Sequence, residues 1–181
     1  FSRLIKRCHS AIFFSATFFP FAYYDQVLFG SSLGRNDEGK KENRKKTSPY
    51  FISLSSPFPR ENFNLIVHTR IKTTFRHRSR FYENVAEIIT HTVDKRAGNH
   101  LVYFSSYAYM EAVVDLIDPD LMLGTLQIQT PGMTERDRQT FLNNFTLDNR
   151  IIGFAVMGGI FGEGIDLAGD LLTTVTVVGV G

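Results

Sequence analysis

At 181 residues the chain has room for one sizeable domain, or for one domain with an appendage. Its apolar fraction of 43% lies in the globular range, so it can bury a core, and a net charge of +2 singles out no partner. A single cysteine, Cys8, excludes a disulfide within the chain and any Cys-built zinc or iron–sulfur site, and suits a reducing, intracellular (cytoplasmic) setting.

Residues 11–14 (AIFF) form a short apolar run ending in Ser15-Ala16-Thr17, which predicts a buried strand entering a loop. A short helix is expected over residues 21–29, after Pro20. The Phe-rich stretch 12–29 is interrupted by Ser15, Thr17, Pro20, Asp25 and Gln26, whereas a membrane span needs about 20 mostly apolar residues. Strand and helix are therefore expected there, and no membrane partner. No cleavage site closes a signal peptide, and the first residue is Phe, so the chain reads as a fragment or a processed product.

Residues 30–47 are polar, charged and without apolar periodicity, which predicts a linker. Short strands are expected at 51–54 (FISL) and 63–68 (FNLIVH), separated by a loop with two prolines. The clearest helix is 80–96, with Phe81, Val85, Ile88, Ile89 and Thr92 on one face and Gly98-Asn99 as a stop. A strand is expected at 101–104 (LVYF), then Ser105 and Ser106 as caps of a helix whose face is Met110, Val113, Val114 and Ile117, ended by Asp118-Pro119. A strand over 125–129 precedes a helix capped by Thr134 and Asp137, whose apolar face is Phe141, Leu142 and Phe145. Strands at 151–157 and 175–180 flank a glycine-rich loop.

From residue 80 onward the alternation of helices and strands indicates an α/β domain with a largely parallel sheet and flanking helices. In such sheets binding loops gather at the carboxyl ends of the strands. Three polar segments occupy those positions: Ser105-Ser106-Tyr107, the stretch around Gln129, and residues 158–166 (GGIFGEGID). Glycines let that last backbone turn sharply and approach a ligand, and it carries two carboxylates, Glu163 and Asp166. It matches neither a Walker A loop, lacking Gly-Lys-Ser/Thr, nor a dinucleotide fingerprint. A phosphate site and a plain strand-to-helix turn are both compatible with it. Two basic runs, Lys40 to Lys46 and Arg70 to Arg80, are either phosphate-tracking stripes or solvated faces.

Residues 154–170 (FAVMGGIFGEGIDLAGD) resemble motif V of DinG/XPD-type superfamily 2 DNA helicases, with Gly162 where that family typically has Ser. Ser15-Ala16-Thr17 followed by Pro20 resembles motif III. Residues 101–107 (LVYFSSY) resemble motif IV, where the family commonly has Phe-Pro-Ser-Tyr. Gln129 with Met133-Thr134-Glu135 and Phe141-Leu142 resembles the segment after motif IV, and Ser56-Pro57-Phe58 with Glu61-Asn62 the entry into the second motor domain. Any one element is weak; five in order are specific.

The resemblance implies a RecA-like, P-loop NTPase-type second motor domain over residues 50–181, a linker at 31–49, and the end of the first motor domain at 1–30. It implies a DNA-repair-type helicase that couples ATP hydrolysis to translocation on single-stranded DNA. Ser15, Ala16, Thr17, Gly162, Glu163, Gly164 and Asp166 would couple ATP state to DNA grip, while Ser105, Ser106, Tyr107 and Gln129 would face the strand. Capping for the two serines, core packing for Tyr107, and a cap or buried ion pair for Asp166 are the plainer alternatives. ATP and Mg²⁺ would sit mostly on a first motor domain absent from this chain, as would any iron–sulfur ligands. No Walker A lysine, acidic metal pair or arginine-finger segment occurs here, so no ATPase is expected from the chain alone. The competing reading is a degenerate helicase-like module that binds nucleic acid or protein without catalysis.

Overall fold

The computed structural model describes residues 7–29, 50–162 and 164–179. The chain divides into two compact units, Phe1–Asn64 and Leu65–Gly181. The linker expected at 31–49 lies outside the described residues.

In the first unit the helix expected after Pro20 forms as α1, Phe21–Phe29. Its aromatic side chains pack locally: Phe18 against Tyr24 at 4.9 Å between ring centroids, and Phe21 against Phe51 at 4.1 Å. The strands expected at 11–14 and 51–54 do not form; both stretches lack a ladder partner among the described residues, and Ile12, Phe14, Ile52 and Leu54 are exposed. The strand expected at 63–68 is likewise irregular, with Phe63, Leu65, Ile66 and Val67 exposed. The physical reason is common to all three. A strand is stable only when a neighbour accepts its backbone groups, and apolar content alone supplies no neighbour.

The second unit begins its regular structure with a 3-10 turn, Arg78–Phe81, leading into α2, Tyr82–Lys95. Then follow β1 (His100–Phe104), α3 (Tyr107–Val114), β2 (Thr125–Ile128), α4 (Glu135–Asn143), β3 (Ile151–Val156) and β4 (Thr174–Val178). The four strands form one sheet in the order β2-β3-β1-β4, and each adjacent pair is parallel. The α/β, RecA-like class with flanking helices therefore holds.

Alternation along the strands divides the core. Val102, Phe104, Ile152 and Phe154 face α2 and α3, packing with Val85, Ile89, Tyr109, Met110 and Val113. Leu101 and Ala155 face the other side with Phe141 and Phe145. Gly153 makes room there: a Cβ would stand 2.9 Å from Phe145 and 3.0 Å from both Leu101 and Phe141. Every residue of β3 is buried, as a strand covered on both faces requires.

The buried stripe of α2 is Val85, Ala86, Ile89 and Val93, so the expected face is turned slightly and Ile88 and Thr92 flank it. The Thr92 hydroxyl bonds back to the Ile88 carbonyl at 2.7 Å, which satisfies it without burial. Asn99, read as part of a stop signal, is a buried hub. Its amide donates to the carbonyls of Thr146 and Leu171, each at 2.9 Å, and its oxygen accepts from Ile151 N at 2.7 Å. Gly98 adopts φ +91°, and a Cβ there would lie 2.6 Å from the Thr173 side chain. The helix expected to end at Asp118-Pro119 stops at Val114; Asp118 instead caps a 3-10 turn, Pro119–Leu121. The expected Thr134 cap is realised as a full capping box with Asp137.

Candidate nucleic-acid interface

Because the strands are parallel, the segments following β1, β2 and β3 emerge along one edge of the sheet. After β1, Ser106 is the N-cap of α3; its hydroxyl accepts from Tyr109 N at 3.4 Å and from Arg78 Nη1 at 3.5 Å. After β2, Gln129 continues the ladder, its N–H bonding to the Phe154 carbonyl at 2.8 Å. Its side chain points inward. Nε2 donates to the Tyr107 hydroxyl at 2.7 Å, and Oε1 accepts from Val156 N at 2.8 Å. Gln129 is only 2% exposed, so it ties the ends of β2 and β3 to the start of α3. Ser106, Tyr107 and Gln129 thus do come together, with Ser106 capping the helix and Gln129 occupied internally.

After β3 the chain turns at Gly158, with φ +74° and nothing within 4 Å of a Cβ there. Gly162 N closes a turn onto the Gly159 carbonyl at 2.8 Å. A Cβ at Gly162 would lie 2.9 Å from Gly158 N, so this closed turn has no room for a side chain. That clash gives a physical reason for glycine at the point where the DinG/XPD-type pattern has Ser.

Phe161 leaves the loop for the core: it is 1% exposed and its ring stands 4.6 Å from Phe141. Two side chains outside the loop hold its carbonyls. The Tyr103 hydroxyl, on β1, donates to Phe161 O at 2.8 Å. Arg138, on α4, donates to Ile160 O at 2.6 Å and to Gly164 O at 2.8 Å, and pairs with Glu135 at 2.9 Å. Only 11% of the Arg138 side chain is exposed, so this is an ordered clamp. Glu163 lies outside the described residues, between the two clamped points. Asp166 is exposed, which removes the buried ion-pair reading, and among the described residues the loop leads through a 3-10 turn, Gly169–Leu171, into β4 rather than into an α-helix.

Burial raises the Tyr103 and Tyr109 hydroxyls above the usual tyrosine range; Tyr103 uses its proton on Phe161 O, whereas the buried Tyr109 hydroxyl has no hydrogen-bond partner among the described residues. Hydrogen bonds from the Thr134 backbone and hydroxyl hold the Asp137 carboxyl below its ordinary value. In the first unit, Ser15, Ala16 and Thr17 are exposed, and Ser15 Oγ accepts from Thr17 N at 3.1 Å in a tight local turn. Among the described residues no group of three or more His, Cys, Asp or Glu side chains is placed to hold a metal ion, and no helix is long and apolar enough to cross a membrane.

Arg78, Tyr103, Asn99 and Arg138 escaped the sequence reading. Glu135 and Arg138, three apart on a helix, carry the signal of an ordinary surface pair. Nothing local says that the guanidinium also reaches a loop more than twenty residues onward.

An all-parallel sheet with polar and glycine-rich loops gathered at the carboxyl ends of its strands defines an α/β domain of the kind that carries its binding loops there. The sequence model of the helicase C-terminal domain family matches residues 89–181, and the chain belongs to that family. The resemblance to a helicase second motor domain therefore holds. Among solved structures the chain is similar to apo XPD at 20% identity and a TM-score of 0.48, over 60% of this chain and 22% of that one. This chain thus spans well under a third of that protein. No curated protein matches it.

Proposed function

We propose that this chain acts as the second RecA-like motor domain of a DinG/XPD-type, ATP-dependent DNA helicase, serving DNA repair by moving along single-stranded DNA. The observation that carries the reading is the shared edge of the sheet: the motif IV-like Ser105-Ser106-Tyr107, Gln129 and the clamped motif V-like loop all lie there. In this division of labour Ser105, Ser106 and Tyr107 contact the strand, while Gln129 sets the position of Tyr107 from below. Gly162, Glu163, Gly164 and Asp166 answer to the nucleotide, and Ser15, Ala16 and Thr17 belong to the first motor domain's coupling element. ATP and Mg²⁺ are held chiefly by that first domain, because this sequence has no Walker A lysine.

Fluorescence anisotropy with a labelled oligothymidylate, together with a phosphate-release assay, tests the reading. The chain alone should bind the oligonucleotide at low salt and lose affinity steeply as salt rises, because the grip is on phosphates. It should release no phosphate from ATP above buffer. Failure to bind at low salt overturns the strand-contact roles, and turnover by the chain alone overturns the division of labour. A protein-binding module without catalysis would give neither binding nor turnover.

A further inference from the structure

Apart from Arg78, which reaches Ser106, the basic run from Arg70 to Arg80 has no part in the site described so far. Its built geometry is specific. Ile71 packs against the main core, and Thr73 lies under the end of β4, where a Cβ on Gly179 would meet it at 3.2 Å. Further on, the N–H groups of His77 and Arg78 both bond to the Thr74 carbonyl at 2.9 Å, and Thr74 Oγ1 meets His77 Nδ1 at 3.1 Å. That turn carries Phe75 and Arg76 at its apex. Arg78 then points back inward. Its guanidinium lies 4.8 Å from the Tyr109 ring and 4.9 Å from the Phe75 ring, and it donates to Ser106.

The segment is therefore pinned at both ends, beside the carboxyl ends of β4 and β1. Tyr109, Arg78 and Phe75 form a stack in which the outermost ring is 82% exposed. What sets Phe75 apart from the other exposed phenylalanines, such as Phe14 and Phe58, is the guanidinium held against its inner face. A ring already backed by a guanidinium is held ready for a further flat partner. Lys72, Arg76 and Arg80 flank it, all exposed, and among the described residues none of them is ion-paired.

We propose that the 70–80 segment is a strand-binding arm for single-stranded nucleic acid, with Phe75 stacking on a base and Arg76 and Arg80 contacting neighbouring phosphates. Charge and an aromatic platform in one element are what a single strand requires: a cationic track for its backbone and a flat face that accepts any base. Arg78 is the positioning residue, since it fixes the Phe75 ring and links the arm to Ser106. The arm rests on the strand-binding role proposed above and extends that site beyond the loops of the sheet.

Anisotropy with a labelled oligothymidylate separates the two ideas. Phe75→Ala should weaken binding about ten-fold or more without changing the melting temperature, because the ring is exposed. Arg76→Ala combined with Arg80→Ala should lower the salt slope by about 1.4, the share of two phosphates on a single strand. Ultraviolet cross-linking to a 5-iodouracil oligonucleotide should attach to the peptide containing Phe75. If the native chain binds and all these variants bind like it, while Ser106→Ala weakens binding, the arm is wrong and the strand-binding edge stands. Loss from the arginine variants with Phe75→Ala unchanged overturns the arm as a stacking element. A native chain that binds no oligonucleotide overturns both.

Discussion

The two faces of the sheet are built differently. Under α2 and α3 the cover is continuous: Val85, Ile89, Tyr109, Met110 and Val113 close over Val102, Phe104, Ile152 and Phe154. Under α4 the cover is thin. Phe141 and Phe145 shield Leu101 and Ala155, while Val175 and Val177 on the edge strand remain 52% and 57% exposed. What completes the α4 face is Phe161, which belongs to the glycine-rich loop itself. One face is closed mainly by its two helices, with Tyr107 of the candidate site packed against it. The other uses a residue of the site as part of its core, so packing there and loop geometry are one quantity.

That contrast can be broken by substitution. Phe154→Ala, on the thick face, should have the largest effect on stability, roughly 4 kcal/mol in urea unfolding, since it empties a fully buried site. The fraction that remains folded should bind oligonucleotide normally. Phe161→Ala should cost less, roughly 3 kcal/mol, because its site lies next to solvent and relaxes more readily. Unlike Phe154→Ala, it should also weaken binding by the folded protein. Equal binding defects in both variants would show that the faces are not independent.

Arg138→Ala should cost roughly 2 kcal/mol, the order expected when the carbonyls of Ile160 and Gly164 lose a charged donor. Arg138→Lys should recover little, because one ammonium lacks the planar fork that spans both oxygens. Proteolysis of the loop, read by mass spectrometry, should accelerate in both variants.

The smallest effect concerns pH and the thick face alone. His100 is buried at the start of β1, with Nε2 2.9 Å from the Arg96 carbonyl. Burial pushes its pKa below the ordinary histidine value, against the opposing effect of that hydrogen bond. The neutral ring is the folded form, and the unfolded chain takes up the proton first as pH falls. Stability should thus be flat above about pH 6.5 and decline below it. His100→Gln should flatten that part of the profile, measured as unfolding midpoints between pH 8 and pH 5. An unchanged profile in the variant would remove His100 as its source.

The elements of the second unit were legible because their signals are local. The apolar runs at 101–104 and 151–157, the helical spacing from Val85 to Ile89, and the Thr134–Asp137 box each lie within a few residues. The failed strands at 11–14, 51–54 and 63–68 have equally good local signals, yet a strand is a relation between segments and theirs have no partner among the described residues. The site divides in the same way. Ser106, Tyr107, Gln129 and the glycine-rich loop were marked by their places after predicted strands. Asn99 passed for a stop signal, Arg138 for a surface ion pair and Arg78 for one charge in a basic run. Each acts on groups more than twenty residues away.

By itself the sequence determined the α/β order from residue 80 onward, the helicase-like motifs and their order, and the lack of a Walker A lysine. Tertiary structure alone decided which side of the sheet carries the loop's own phenylalanine, and that Gln129 and Arg138 hold the edge rather than face away from it. It also decided that Gly162 closes a turn too tight for a side chain. The reason is physical: periodicity and capping are set within one or two turns of chain, whereas a buried hydrogen bond or a filled core position depends on what folding brings opposite it.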